Sequence, residues 1–173
     1  MNKIILSDID NIRKQGFRPE VVGCFVSEKK VLFVHDKEYD LWQLPQGGID
    51  NGEDIATATE REMTEELGKD FVYEMDDLNV IGDDQLIFPM ATQGSRDLKT
   101  DDGEGVHMQG KKYFFISIVA PREELDIDQT EFDDYRWLAY SEAMELCNKI
   151  YQKGKRRIII KALNLLREAG NIK

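Results

Sequence analysis

Three glutamates, Glu62, Glu65 and Glu66, are spaced to share one face of a helix, with Arg61 beside them and Glu53 a short way upstream. At about 100° per residue, the three carboxylates fall within an arc of roughly 100° on an α-helix. Carboxylates held that close repel one another, and nothing in the local sequence neutralises all three. A hard divalent cation is the natural partner, and Mg²⁺ needs only a few carboxylates plus water and phosphate oxygens. The pair Gly47–Gly48 lets backbone carbonyls approach such an ion, because glycine carries no Cβ. Arg61 falls outside the carboxylate arc, so its expected partner is Glu53, a pairing that would pin the loop to the helix. The plain alternative is a solvated acidic helix face.

These residues need a helix and a loop to hold them. Residues 54–67 carry helical periodicity, with Ala56, Thr59, Met63 and Leu67 on the arc that would face a core. Gly68 suits a C-terminal cap. Pro45, Gly47, Gly48 and Gly52 mark an irregular loop ahead of the helix. Strands are predicted at 20–28, 31–35, 41–44, 78–82, 85–89, 111–119 and 135–140. The stretch 91–110 is polar, with Asp97, Asp101, Asp102 and Glu104, and reads as a long mobile loop. Helices are predicted near 141–151 and 154–169. Strands interrupted by one helix and followed by helices point to an α+β fold, a mixed sheet packed between helices. Without a repeat or a break in composition, residues 1–173 read as a single domain.

Composition sets the outer bounds. The chain has 173 residues, 41% hydrophobic and 33% charged, with a net charge of −11. That balance opposes broad nucleic-acid binding, which needs a basic face, but not a substrate whose phosphates are held through metal ions. No stretch approaches the roughly 18 apolar residues of a membrane span, and Asp8 and Asp10 interrupt the apolar start, so no membrane partner or signal peptide is expected. Cys24 and Cys147 read as buried thiols of a reducing cytoplasm.

The string GGIDNGEDIATATEREMTEELG, residues 47–68, adds a second kind of information. Seven fixed positions at roughly 7% each would coincide by chance on the order of once in 10⁸ windows. They match the Nudix box, and the chain resembles the Nudix hydrolases. One position departs: Lys69 stands where the box usually ends in an aliphatic residue, which bears on how the next segment starts. The likeness extends over about residues 16–160. Gly16-Phe17-Arg18-Pro19, Trp42-Gln43-Leu44-Pro45-Gln46-Gly47-Gly48, Gln109-Gly110-Lys111-Lys112-Tyr113-Phe114 and Glu131-Phe132-Asp133-Asp134-Tyr135-Arg136-Trp137 resemble the bacterial RNA pyrophosphohydrolases and related dinucleoside polyphosphate hydrolases.

The resemblance implies a Nudix-type α/β/α sandwich and hydrolysis of a phosphoanhydride bond in dinucleoside polyphosphates or 5′-triphosphorylated RNA ends. It implies Mg²⁺ or Mn²⁺ held by Glu62, Glu65 and Glu66 with the Gly47 carbonyl, and Glu53 and Arg61 in support. Glu131 matches an acidic residue outside the box that binds metal or takes the proton from water. Arg18 matches a phosphate-contacting arginine, with Lys112 expected on phosphate and Gln109 on the nucleotide. The basic run Lys153, Lys155, Arg156 and Arg157 reads either as a solvated face or as a phosphate contact. Trp42, Trp137 and Tyr140 read as packed aromatics before base-stacking ones, and His35 and His107 show no catalytic pattern. Two features differ from the subgroup: His35-Asp36 stands where arginines are common, and 91–110 is longer and more acidic than an RNA-facing edge requires. Alternatives are cleavage of ADP-ribose, a nucleotide sugar or an oxidised nucleoside triphosphate, and a nucleotide-sensing module without catalysis.

Overall fold

The computed structural model describes residues 3–73 and 75–173. The architecture is α+β, with a mixed sheet between two layers of helices. Helix α1 (Leu6–Lys14) leads into β1 (Phe17–Ser27) and β2 (Lys30–Asp36), followed by the short strands β3 (Leu41–Gln43) and β4 (Gln46–Gly48). The carboxylate helix is α2 (Ile55–Leu67), followed by the single turn α3 (Lys69–Val72). Then come β5 (Asp76–Ile87), β6 (Asp97–Lys99), β7 (Gly105–His107), β8 (Gly110–Val119) and β9 (Asp134–Leu138). Helices α4 (Tyr140–Cys147) and α5 (Lys153–Glu168) follow. No helix among the described residues is long and apolar enough to cross a membrane.

Strand alternation divides the core in two. Along β1, Val22, Cys24 and Val26 join Tyr113 and Phe115 of β8 in packing against α4 and α5. Val21 and Phe25 point the other way and, with Phe114 and Ile116, pack against α1, α2 and α3. This period-2 alternation on a sheet covered on both faces explains why β1 and β8 read as nearly continuous apolar runs.

The sheet runs β3-β2-β1-β8-β5, with β1 parallel to β8 and every other pairing antiparallel. Strands β1 and β2 pair only at Val26–Val31 and Ser27–Lys30 before they splay apart. Past that point β4 takes the free edge of β1, while β3 and β9 take β2. The link between β3 and β4 fills the split, with Leu44 fully buried and the Pro45 carbonyl accepting from the Gly23 amide at 2.8 Å. This split holds the glycine-rich loop against the sheet.

Several sequence expectations change. Residues 78–82 and 85–89 belong to one strand, β5, whose register shifts near Gly82, where the Leu165 side chain leaves no room for a Cβ. The stretch 91–110 is not a bare loop. It folds into the β6–β7 hairpin, with Leu98, Thr100 and Met108 buried beneath its polar residues. Part of the expected irregular loop is strand β4. Lys69 opens α3, which turns Phe71 and Val72 into the core. Helix α1 was not foreseen. Its short polar repeat hides a narrow buried side of Ile9, Asp10 and Arg13.

Helix α2 is closed at its start by Asp54, whose side chain accepts from the Thr57 amide at 2.8 Å. It ends at Gly68, whose φ of 90° suits a residue without a Cβ. Its buried stripe is Ile55, Ala58, Thr59, Met63 and Leu67, so Ala58 rather than Ala56 faces the core. Gly23 of β1 lies directly under Met63, and a Cβ there would run into the methionine sulfur. Gly23→Ala is therefore expected to push α2 off the sheet and cost about 1–3 kcal/mol in urea unfolding. An unchanged unfolding midpoint would show that Met63 can move aside freely.

Candidate active site

The glutamates of α2 face the glycine loop of β4 across a short gap. A Cβ on Gly47 would collide with the Glu62 carboxylate, and one on Gly48 would collide with the Arg18 guanidinium. Close approach requires Gly47, because Glu62 is held by Arg61, whereas at Gly48 the part-exposed end of Arg18 could swing aside; Gly47, Glu62 and Arg18 converge on one loop. Glu66 also reaches this loop, its Oε2 accepting from the Gln46 amide at 3.0 Å. Glu131 is joined to the same helix, its amide donating to the Glu66 carbonyl at 3.0 Å.

Arg61 is the hub. Its Nε and Nη2 grip both oxygens of Glu53 at 2.7 and 2.8 Å, as the sequence suggested. It also reaches into the carboxylate arc, donating from Nη1 to Glu62 Oε1 at 2.7 Å and standing 3.5 Å from Glu65. Nη2 further donates to the Gly48 carbonyl at 2.9 Å. Glu53 Oε2 accepts from the Asp50 amide at 2.9 Å, so the loop is closed from both ends. The Arg61 hydrogen bonds outweigh partial burial and hold the Glu53 carboxyl below its ordinary range.

The remaining carboxylates are poorly compensated. Burial pushes the Glu66 carboxyl up to about 9; its bond from Gln46 opposes this, while the charges of Glu131 and Glu62 add to it. Burial also raises Glu62 against the pull of Arg61, with Glu65 and Asp50 adding repulsion. Among the described residues, no three His, Cys, Asp or Glu side chains close into a cage. The donor set nonetheless fits a hard divalent cation. Arg61 occupies Glu62 Oε1 but leaves Oε2 against the Gly47 backbone, and Glu66 and Glu131 add oxygens with unrelieved repulsion.

Beside this acidic face lies a cleft of about 960 Å³. Lys111, Lys155 and Arg96 supply its positive charge, and Tyr39, Leu86 and Phe88 are among its apolar walls. Lys155 Nζ donates to Gln43 Oε1 at 2.8 Å and feels the Glu66 charge. Burial and the nearby Lys111 hold the pKa of Lys155 below its ordinary value. Lys111 pairs with the buried Glu20 at 2.6 Å.

The other expected residues are placed as follows. Arg18 lies over Gly48, 4.0 Å from Glu20, on the cleft side of the sheet. Lys112 points the other way and pairs with Asp83 at 2.6 Å, so the cleft cation of that dipeptide is Lys111. Gln109 does not line the cleft; its side chain donates to the Gln15 carbonyl at 3.1 Å. Of the basic run, Lys155 turns inward while Arg157 pairs with Asp84 at 2.6 Å. Trp42 lies under Arg136, and the Trp137 indole donates to the Glu123 carbonyl. His35 has partners that no linear pattern showed. Asp133 at 2.7 Å and Asp40 at 3.0 Å raise its pKa against burial, and they tie the loop behind Glu131 to the one carrying Tyr39.

Gly47, Glu53, Arg61, Glu62 and Glu66 thus meet at one loop, with Glu65 beside Arg61 and Gly68 closing the helix, and a NUDIX domain model matches residues 17–161. The chain belongs to the NUDIX family. Its curated relatives in this family include an RNA pyrophosphohydrolase of Campylobacter jejuni (strain 81-176), 27% identical over 168 residues, covering 92% of this chain and 98% of the relative. Another RNA pyrophosphohydrolase, from a Nitratiruptor species, is 30% identical over 141 residues, 76% of this chain and 83% of the relative. Among solved NUDIX folds, the dihydroneopterin triphosphate pyrophosphohydrolase of E. coli aligns with a TM-score of 0.59 at 18% identity, over 86% of this chain and 97% of that one. The protein is accordingly a NUDIX pyrophosphohydrolase.

A carboxyl whose folded pKa of about 9 lies above its unfolded value penalises folding only where the unfolded chain would ionise it. The penalty is absent below about 4.5, grows as pH rises, and is complete above about 9. Glu66→Gln keeps an acceptor for Gln46 and removes the charge. With chelator present, the variant should melt several degrees above wild type at pH 8 and level with it at pH 4, at roughly 2–4 °C per kcal/mol. It should also lose turnover. A variant that melts lower at pH 8 would mean that Glu66 is not the strained carboxylate.

Proposed function

We propose that this enzyme removes phosphate or pyrophosphate from 5′-triphosphorylated RNA ends, with Mg²⁺ or Mn²⁺ as cofactor. The observation that carries the reading is the junction of two opposed fields. An acidic face of Glu62, Glu65, Glu66 and Glu131 borders a cleft whose charged lining is Lys111, Lys155 and Arg96. A polyphosphate laid across that junction has cations for its outer phosphates and a metal-binding edge for the bond to be broken. The choice of RNA ends is supported by relatives named RNA pyrophosphohydrolase that align over almost their full length.

Glu62, Glu65 and Glu66, with the Gly47 carbonyl, would hold the cation. When bound, it polarises phosphoryl oxygens and lowers the pKa of a coordinated water. Arg61 and Glu53 keep the Gly48–Glu53 turn in register with α2 and orient Glu62 through its Oε1. Glu131, exposed and on the Glu66 side, either joins the ligand set or receives the proton of the attacking water. Lys155 and Lys111 neutralise charge on the leaving or retained phosphates, and Arg18 completes the rim above Gly48. Positioning and charge stabilisation are most of what phosphoryl transfer asks of a protein.

A second reading, dinucleoside polyphosphates, is favoured by the net charge of −11, which disfavours a long polyanion. Both substrates present a polyphosphate beside a nucleoside. A direct competition separates them: triphosphorylated RNA and diadenosine tetraphosphate are supplied together with Mg²⁺, and products are resolved by chromatography. Faster loss of the RNA 5′ phosphates is expected; selective formation of ATP and AMP would transfer the assignment to the dinucleotide.

The cleft assignment makes its own prediction. Lys155→Ala should raise KM about tenfold or more, since a charge-assisted phosphate contact contributes about 1.5–3 kcal/mol. Lys112→Ala should leave KM within twofold of wild type. The reverse ranking, measured by steady-state kinetics on either substrate, would move the phosphate site to the other face of β8.

A further inference from the structure

One buried charge lies outside the family pattern and outside the cleft. Arg13, in the last turn of α1, is only 2% exposed. A guanidinium so far from water must find acceptors for its donors or destabilise the fold. Its acceptors belong to the catalytic loop. Nη2 donates to the carbonyls of Ile49 at 2.9 Å and Asp50 at 3.0 Å. Nη1 donates to Asp101 Oδ1 at 3.0 Å, in the turn of the β6–β7 hairpin, with Asp10 at 3.8 Å.

Asp101 extends the same contact. Its Oδ1 accepts from Asn51 Nδ2 at 2.8 Å and from the Gly52 amide at 3.3 Å. Its own amide donates to Asp10 Oδ1 at 2.8 Å. Asn51 Nδ2 further donates to the Lys99 carbonyl at 3.0 Å. Residues 48–52 are therefore held between two arginines. Arg61 grips them from α2 through the Gly48 carbonyl and the Asp50 carboxylate, at 2.9 and 3.5 Å. Arg13 grips the next two carbonyls from the opposite side.

We propose that Arg13 is a positioning residue for the reaction, and that the acidic β6–β7 hairpin supplies its counter-ion, Asp101. Together they fix the turn that follows Gly47–Gly48, so that the Gly47 backbone keeps its close approach to Glu62. The inference rests on the reading of this loop and of Glu66 as a metal site. It gives the hairpin a purpose that its acidic composition alone did not show. The hairpin places one carboxylate against a buried guanidinium and leaves its other acids at the surface.

The test compares Arg13→Lys, Arg13→Gln and Asp101→Asn with wild type, with Glu66→Gln as reference, in the full-length chain at a temperature well below every melting point. Mn²⁺ binding without substrate is followed by electron paramagnetic resonance, alongside amide exchange at 48–52 and steady-state kinetics. Residues that orient metal ligands typically change metal affinity by about 10–100-fold. Arg13→Gln should weaken Mn²⁺ binding about tenfold, speed amide exchange at 49–52, and lower kcat with little change in KM for the nucleotide. Arg13→Lys should recover part of the loss. Asp101→Asn, which keeps shape and removes charge, should show a smaller loss of the same kind, and it carries the test if Arg13→Gln does not fold. Mn²⁺ affinity within twofold of wild type in the folded variants, with binding lost in Glu66→Gln, would overturn the role of Arg13 and leave the metal site standing. Undiminished binding in Glu66→Gln would overturn the metal-site reading and this inference together.

Discussion

The acidic face beside the Gly47–Gly48 loop is a concentration of like charge that the fold does not neutralise by itself. Glu53 is fully paired with Arg61, and Glu62 is half paired with it. Glu66 has one amide donor, and the pKa of its carboxyl is raised to about 9 by burial, with repulsion from Glu131 and Glu62. A single guanidinium cannot satisfy this set, because its donors are spent on Glu53, on one oxygen of Glu62 and on the Gly48 carbonyl. The unpaired remainder penalises the charged form, chiefly through burial and secondarily through repulsion, and a proton or a cation relieves it. Stability and function are therefore opposed at this face, as they commonly are where a site must bind charge.

The rest of the structure is arranged to keep that repulsion in place. Helix α2 cannot move away, because Ile55, Ala58, Thr59, Met63 and Leu67 are buried along one side and Met63 rests on Gly23. Fully burying a large apolar side chain contributes about 1.5–3 kcal/mol, and the stripe has three of them, Ile55, Met63 and Leu67, which anchor α2 to the sheet. The loop cannot move away either. It occupies the split between β1 and β2, is paired to β1 through β4, and is gripped by Arg61 and Arg13. The two halves of the site thus belong to different elements, each tied separately to the same sheet.

How much of this was legible in the sequence follows from which interactions are local. Helix α2 and its end at Gly68 depend on neighbours within a turn or two, and the 54–67 periodicity shows them, though Asp54 proves to be the cap and not the first helical residue. The Arg61–Glu53 pairing was legible for the same reason. Strands β1 and β8 were legible because a sheet covered on both faces demands long apolar runs. Most of the misses depend on distant partners. Alternation shows that Lys111 and Lys112 face opposite ways, but not which faces the cleft, because that is set by the helices covering each side. Helix α1 carries few apolar residues, since part of its buried side is Asp10 and Arg13, whose partners lie near residues 49 and 101. The β6–β7 hairpin looked like a loop because its acids dominate the composition. Its anchors are Leu98, Thr100 and Met108, too few and too scattered to give a strand pattern.

The proposed substrate must be reconciled with a net charge of −11, and distance resolves the conflict. At physiological ionic strength the screening length is about 8 Å, so a bound phosphate senses only the groups nearest to it. In the cleft the cations are Lys111, Lys155 and Arg96; the buried Glu20 offsets Lys111, so Lys155 and Arg96 carry most of the free charge, and partial burial of Lys155 strengthens its field as it lowers its pKa. The hairpin acids Asp97, Asp102 and Glu104 are exposed, so water and salt screen them more than the partly buried Lys155, and they bear on the approach of a large polyanion. Under the proposed function, the terminal polyphosphate therefore meets an attractive field while the remainder of an RNA chain meets a repulsive one. Such a division favours recognition of an end over binding along a strand, and it weakens as salt rises because the repulsive part is the more exposed to screening. The acidic composition is then a source of selectivity for ends, and it is compatible with RNA so long as few nucleotides beyond the first enter the site.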